Sequence, residues 1–281
     1  MGPAAARIAF CAAWLGAACS SGAAPLAASV AVERSLYDAR EQLPSTSFVL
    51  NREFGALDGG SLGASAIDSS GGWEASLRHL SGGLSYRGLS QFGMPIETRT
   101  DLKLERFEFA FDPLGTVSIG RGDVGLAVAV AHQRIDRRIR ASIFSSALAE
   151  VLSSSEVGLR ARAAMPLSIG AWPAEIALRL EGWRPWQQRL SVDTGGVYDA
   201  FRLEPAPRNS WRIDAGLTLR LNGAMTMRAA LGASWLRFGN SDAAPIYRSG
   251  LPAGIASYPG SRQRLRTIEV QWQWSFDESL R

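Results

Sequence analysis

Charged side chains recur at every second position inside otherwise apolar runs of this 281-residue chain. Arg160 and Arg162 alternate with Val157, Leu159 and Ala161. Glu175, Arg179 and Glu181 alternate with Ile176, Leu178 and Leu180. Arg212, Asp214 and Arg220 alternate with Trp211, Ile213, Leu219 and Leu221. Arg228 shares a face with Thr226 and Ser234, and Glu269 separates Ile268 from Val270. Nearer the N-terminus, Glu74, Arg78 and Arg87 alternate with Trp73, Ala75, Leu77 and Tyr86. A guanidinium carries only donors and a carboxylate only acceptors, so residues in this pattern either pair with one another or hold a mobile anion.

Other chemistry has little to work with. The chain has two histidines, His79 and His132, both inside strand-like runs, and a nucleophile–histidine pair or a metal centre needs more than that. Arg121-Gly122-Asp123 reads as a turn, and no glycine-rich phosphate loop precedes a helix. We therefore expect no catalytic residues, no metal and no cofactor. Both cysteines, Cys11 and Cys19, fall in the N-terminal leader, so no disulfide is expected beyond it. The formal net charge is +4, but the arginines are scattered beside carboxylates, which argues against nucleic acid as a partner.

Period-two alternation is the signature of strands with one apolar and one polar face. Beyond the leader no stretch stays apolar for the roughly 18 residues that a membrane-crossing helix needs. The last strand, Ile268 to Phe276, puts Ile268, Val270, Trp272, Trp274 and Phe276 on one face and Glu269, Gln271, Gln273 and Ser275 on the other. It resembles the C-terminal β-signal of bacterial outer-membrane β-barrel proteins, with Asp277–Arg281 following as a short tail. That resemblance implies an all-β chain: a single antiparallel transmembrane barrel in the outer membrane of a Gram-negative cell, surrounded by its lipid and recognised by the assembly machinery through this strand. The Asp–His dyads of omptin-like proteases are not found, in keeping with a non-enzyme.

Met1 to Ala31 reads as a secretory signal peptide, with Arg7 as its positive region, Ile8–Ala18 as its apolar core and Ser29-Val30-Ala31 as the cleavage site. Residues 32–44 read as a periplasmic linker and residues 45–276 as the barrel. Gly55–Gly72 reads as a long loop, Ser81-Gly82-Gly83 as a tight turn, Ile135–Arg138 and Met165–Pro173 as turns, and Asn222-Gly223 as a two-residue hairpin. Gln187–Asn209 and Gly239–Arg264 read as long loops. Short and long connections thus alternate, giving about 12 strands, or 10 if Thr116–Ile135 is one strand. In Asp101–Phe111 the apolar parity changes near Arg106, which suggests a β-bulge.

Tryptophans mark the two membrane surfaces. Trp183, Trp186, Trp211 and Trp235 are expected at one set of strand ends, Trp272, Trp274 and Phe276 at the other, and Trp73 is a further interface aromatic. An arginine facing lipid at mid-membrane costs about 2–4 kcal/mol, so the alternating charges must face the lumen. Arg160, Arg162, Arg179, Arg212, Arg220 and Arg228 would form one basic wall, with Glu175, Glu181 and Asp214 interspersed. This predicts a narrow, porin-like transport channel for small anionic or polar solutes. The alternative is a membrane-anchored structural or binding protein with a closed, salt-bridged lumen. It would act through the two long loops, where Tyr198, Phe201, Tyr247 and Tyr258 could serve as contact anchors.

Overall fold

A computed structural model describes residues 25–42, 49–68, 70–89, 93–143 and 145–276. The leader as far as residue 24 and the tail Asp277–Arg281 lie outside the described residues. The strands are β1 (Leu26–Gln42), β2 (Val49–Asp68), β3 (Gly71–Leu89), β4 (Pro95–Asp112), β5 (Thr116–Ile119), β6 (Gly122–Ile139) and β7 (Leu148–Ile169). They continue with β8 (Trp172–Asp193), β9 (Phe201–Leu203), β10 (Ser210–Arg220), β11 (Met225–Phe238), β12 (Ala244–Arg248), β13 (Leu251–Ala256) and β14 (Ser261–Phe276).

Ten of these close into an antiparallel barrel, in the order β1–β2–β3–β4–β6–β7–β8–β10–β11–β14 and back to β1. The short β5 pairs with β6 alone and β9 with β8, while β12 and β13 form a separate hairpin. Pairing partners followed from Phe276 run through Leu26, Ala66, Trp73, Phe111 and Val128. They continue through Leu159, Gly182, Trp211 and Trp235, and re-enter β14 at Arg264, twelve residues before the start. Ten strands with that stagger tilt by about 40° from the barrel axis.

The count of ten arises differently from the merger expected over Thr116–Ile135. The supposed linker is β1 as far as Gln42, paired with both β2 and β14. Leu26–Ala31 belong to the same strand, so the cleavage position expected after Ala31 would cut it in two. The glycine-rich stretch expected as a loop lies within β2, and the turn expected at Ser81–Gly83 lies within β3. Glycine is required there because neighbouring backbones come very close. A Cβ on Gly59 would sit 2.0 Å from the His79 carbonyl oxygen, and one on Gly82 2.3 Å from that of Ala56. Turns signalled by glycine are thus close-approach points in an unbroken sheet. The turn expected at Ile135–Arg138 is also strand; β6 ends at Ile139 and β7 begins at Leu148. β7 runs on to Ile169 and β8 restarts at Trp172, which confines that connection to Gly170-Ala171.

No bulge interrupts β4: its register with β3 and β6 is continuous through Arg106. What changes there is the polarity of each face. Leu102 and Leu104 are buried inside, followed on the same face by Arg106 and Glu108. Outside, Lys103 and Glu105 give way to Phe107, Phe109 and Phe111. β14 does the same in reverse, from Arg262, Arg264 and Arg266 outside with Leu265 inside, to Ile268, Val270 and Trp272 outside with Glu269 and Gln271 inside. The barrel therefore has a lower half with an apolar outer wall and an upper half with a polar one. Strand ends at Leu26 and Phe276 and the short connections lie at the lower end, the periplasmic side of such a barrel. Residues 140–143, 145–147, 194–209 and 239–260 lie at the other end.

Candidate functional site

All the predicted lumen charges except one face the interior. Arg87 is the exception: with Ser81–Gly83 in the strand its parity is outward, and it pairs with Glu97 at 3.2 Å beside the Phe54 ring. Glu74, Arg78, Arg160, Arg162, Arg179, Arg212, Arg220, Arg228, Glu175, Glu181, Asp214 and Glu269 lie on inner faces. Arg106, Glu108, Glu156 and Glu33 join them. The apparent parity slip hid the first two, and the linker reading hid Glu33. The residues just named are eight arginines and eight carboxylates, so among the described residues of the lower lumen the expected arginine excess is absent.

The middle of the barrel is a dense ion network. Arg160 donates to Glu181 Oε1 at 2.8 Å, to Glu74 Oε2 at 3.1 Å and to Glu108. Arg106 donates to Glu108 at 3.1 Å, Glu156 at 3.0 Å and Gln133 at 3.2 Å. Its guanidinium lies 4.4 Å from the centre of the Trp183 ring. Trp183, expected at the membrane surface, is therefore a lumen residue, and its indole N–H donates to Glu181. Trp73, Trp186, Trp211, Trp235, Trp272, Trp274 and Phe276 remain on outward faces. Arg78 holds Glu33 at 2.6 Å, and Arg228 bridges Asp214 and Glu269. Such charges, removed from water, are tolerable because each is paired and hydrogen-bonded.

Below this network a cavity of about 760 Å³ opens at the lower end of the barrel. Its wall includes Ser29, Ser61, Arg162, Glu175, Arg220, Gln271 and Gln273. Above the network the lumen is filled. Leu57, Leu80, Leu84, Leu102, Leu104 and Leu265 are fully buried and pack with Tyr37, Ile135, Leu152, Phe238 and Tyr258 into one apolar core. A second ion cluster, outside the membrane, caps this core: Arg137 is bound by Glu41 and Glu150 at 2.7 Å and by Glu53 at 2.9 Å. Burial pushes the Glu150 carboxyl up to about 7, with Glu41 and Glu53 adding to the rise and Arg137 opposing it.

The two long surface connections are ordered against each other. Asp199 accepts hydrogen bonds from the backbone of Ser249 and Gly250 at 3.0 and 2.9 Å, and its own N–H donates to Tyr247 O. Ala206 N–H donates to Asn240 O, and Gly239 N–H to Ala206 O. Of the expected contact anchors, Tyr258 points inward and donates to Ser261 Oγ, and Phe201 packs against the core. Tyr247 stays exposed, and Leu251 and Ile255 on the hairpin are 71% and 76% exposed. His79, 3.4 Å from Glu105, and His132, 3.0 Å from Ser155 Oγ, both lie on the outer wall.

No protein-family model and no curated protein matches this sequence. Among solved structures the chain is similar to the outer membrane protease OmpT from Escherichia coli, with a TM-score of 0.60 at 9% identity, covering 92% of this chain and 99% of that one. The translocator domain of the autotransporter NalP from Neisseria meningitidis matches at 11% identity and a TM-score of 0.43, covering 97% of both chains. The outer membrane protein OprG from Pseudomonas aeruginosa matches at 7% and 0.41, covering 91% of this chain and 98% of that one. At such identity the likeness to OmpT shows the fold alone. The closed sheet, the apolar outer band and this likeness give the protein the fold of outer-membrane β-barrels, with a wall suited to lipid.

Proposed function

We propose that the protein is a non-conducting barrel of the bacterial outer membrane, exported by its leader, that acts as a membrane-anchored binding or structural protein at the cell surface. The observation that carries this reading is the leucine-rich core filling the upper lumen. A solute would have to displace fully buried side chains and then part a paired ion network, whereas channels keep a wet path. The interlocked surface connections add support, since ordering them costs conformational entropy while leaving Leu251 and Ile255 uncovered. A non-enzymatic role fits with both histidines lying on the outer wall. Planar-bilayer recording tests the reading: purified barrel should give no stepwise conductance at any voltage that the bilayer survives. Reproducible open events from folded protein would favour a channel instead.

A further inference from the structure

The upper outer wall is not uniformly charged. On one arc the charges balance: Arg140 holds Asp101 at 3.0 Å, Arg134 holds Asp136 at 3.0 Å, and Lys103 stands opposite Asp136. On the arc formed by β11, β14 and β1 they do not. The register places Arg237 beside Arg262 and Arg262 beside Arg40. Arg264 and Arg266 follow on the same face of β14. Neighbouring strands lie about 4.8 Å apart and alternate residues along a strand about 6.7 Å apart, so these side chains form one compact group. Arg237, Arg262, Arg264 and Arg266 are exposed, and none has an ion-pair partner among the described residues. The one carboxylate within the group, Asp38, is taken by Arg52 at 2.8 Å, with Arg40 3.5 Å away.

The position of this group is as informative as its charge. Ile268, Val270 and Trp272 continue directly below Arg266 on β14, and Leu231 and Trp235 lie below Arg237 on β11. Arg264 lies over the Trp235 ring, 5.6 Å from its centre. The arginines therefore begin where the lipid-facing wall ends, on the cell-surface side. At that depth lie the headgroups of the outer leaflet, and a bound amphiphile could place acyl chains on the wall and anionic groups on the arginines at once. From this juxtaposition we propose that the arc of β11, β14 and β1 is a docking site for the phosphorylated headgroup of an outer-leaflet glycolipid. Guanidinium forks suit phosphate oxygens, and continuity with the apolar wall favours a lipid over a soluble anion.

The test uses folded full-length barrel in zwitterionic micelles, with binding followed by titration calorimetry. Bisphosphorylated lipid A should bind, and the same lipid stripped of its phosphates should bind at least tenfold more weakly. Replacing one arginine with glutamine should weaken binding about fivefold, and Arg264→Gln with Arg266→Gln together by well over tenfold. Arg138→Gln on the balanced arc should leave binding unchanged. Rising salt should weaken wild-type binding. All these substitutions are at exposed positions, and heat-modifiable gel mobility verifies that each variant is folded. Equal affinity for the dephosphorylated lipid, or no loss in the double variant, overturns the proposal. So does displacement of the lipid by inorganic phosphate at equal concentration, which would mark a simple oxyanion site. None of these outcomes depends on whether the barrel conducts.

Discussion

The upper and lower halves of this barrel are built on the same strands with opposite chemistry. Below the level of Arg106 the wall is apolar outside and ionic inside; above it the wall is ionic outside and encloses a leucine core capped by the Arg137 cluster. The lower half is organised for lipid, where every outward charge is costly. The upper half is organised like a soluble β-barrel, with a leucine core and a solvated surface. A single run of alternating residues serves both environments by exchanging the contents of its two faces in mid-strand. The border between the halves is thus a chemical mark of the membrane surface, readable on β4 and β14 alike.

Three tests can break this comparison. The largest effect is expected inside the lower half. Arg160→Met leaves Glu181 and Glu108 buried beside an apolar side chain and should lower stability by about 3–5 kcal/mol. The temperature at which the folded gel band converts to the unfolded one measures it; a variant as stable as wild type would mean that water reaches the network. Next comes the outer wall of β6, which crosses the border. Val128→Arg, in the lipid-facing wall, should cost about 2–4 kcal/mol, whereas Arg138→Val, higher on the same face, should stay within about 0.5 kcal/mol. Similar losses for both in lipid bilayers would erase the border proposed on that strand.

The last test concerns pH and the upper half. The folded-state pKa of Glu150 is raised to about 7 from an ordinary carboxyl value of 4.5. Between those values the folded protein holds a proton that the unfolded chain has lost. This group's contribution to stability therefore grows as pH falls from above 7 toward 4.5, by up to about 3 kcal/mol. Glu150→Gln should flatten that part of the stability–pH profile without shifting the acid-side losses caused by other carboxylates. Equal slopes for wild type and variant between pH 8 and 5 would show that Glu150 is already ionised in the fold.

The fold class was legible in the sequence because alternation survives in the lower half, where lipid forces it. From Trp211 to Leu221 and from Ile268 to Phe276 the inward and outward assignments agree with the structure. Legibility failed where faces invert or glycines cluster. Arg106 looked like a parity error because one polarity rule was applied across the membrane border. Ser81-Gly82-Gly83 looked like a turn because local composition cannot reveal that the β2 backbone passes 2.3 Å from a would-be Cβ on Gly82. Arg87 was assigned inward as a consequence of that turn. Trp183 has the residue type of an interfacial aromatic but the parity of Arg179 and Glu181, and parity decides its place.

The pairing of β1 with β14 carries a consequence in time rather than in space. The two strands lie at opposite ends of the described chain, yet Leu26 pairs with Phe276 and Glu41 with Ser261. No local segment can satisfy the free edge of β1, so it stays an open template until nearly the whole chain has been delivered. Closure is then a single late event that also brings Thr267 to Ser35 and Arg78 and completes the leucine core. A chain interrupted anywhere before its final strand would be left with an exposed edge and an unfilled interior, a state suited to aggregation or degradation rather than to partial activity.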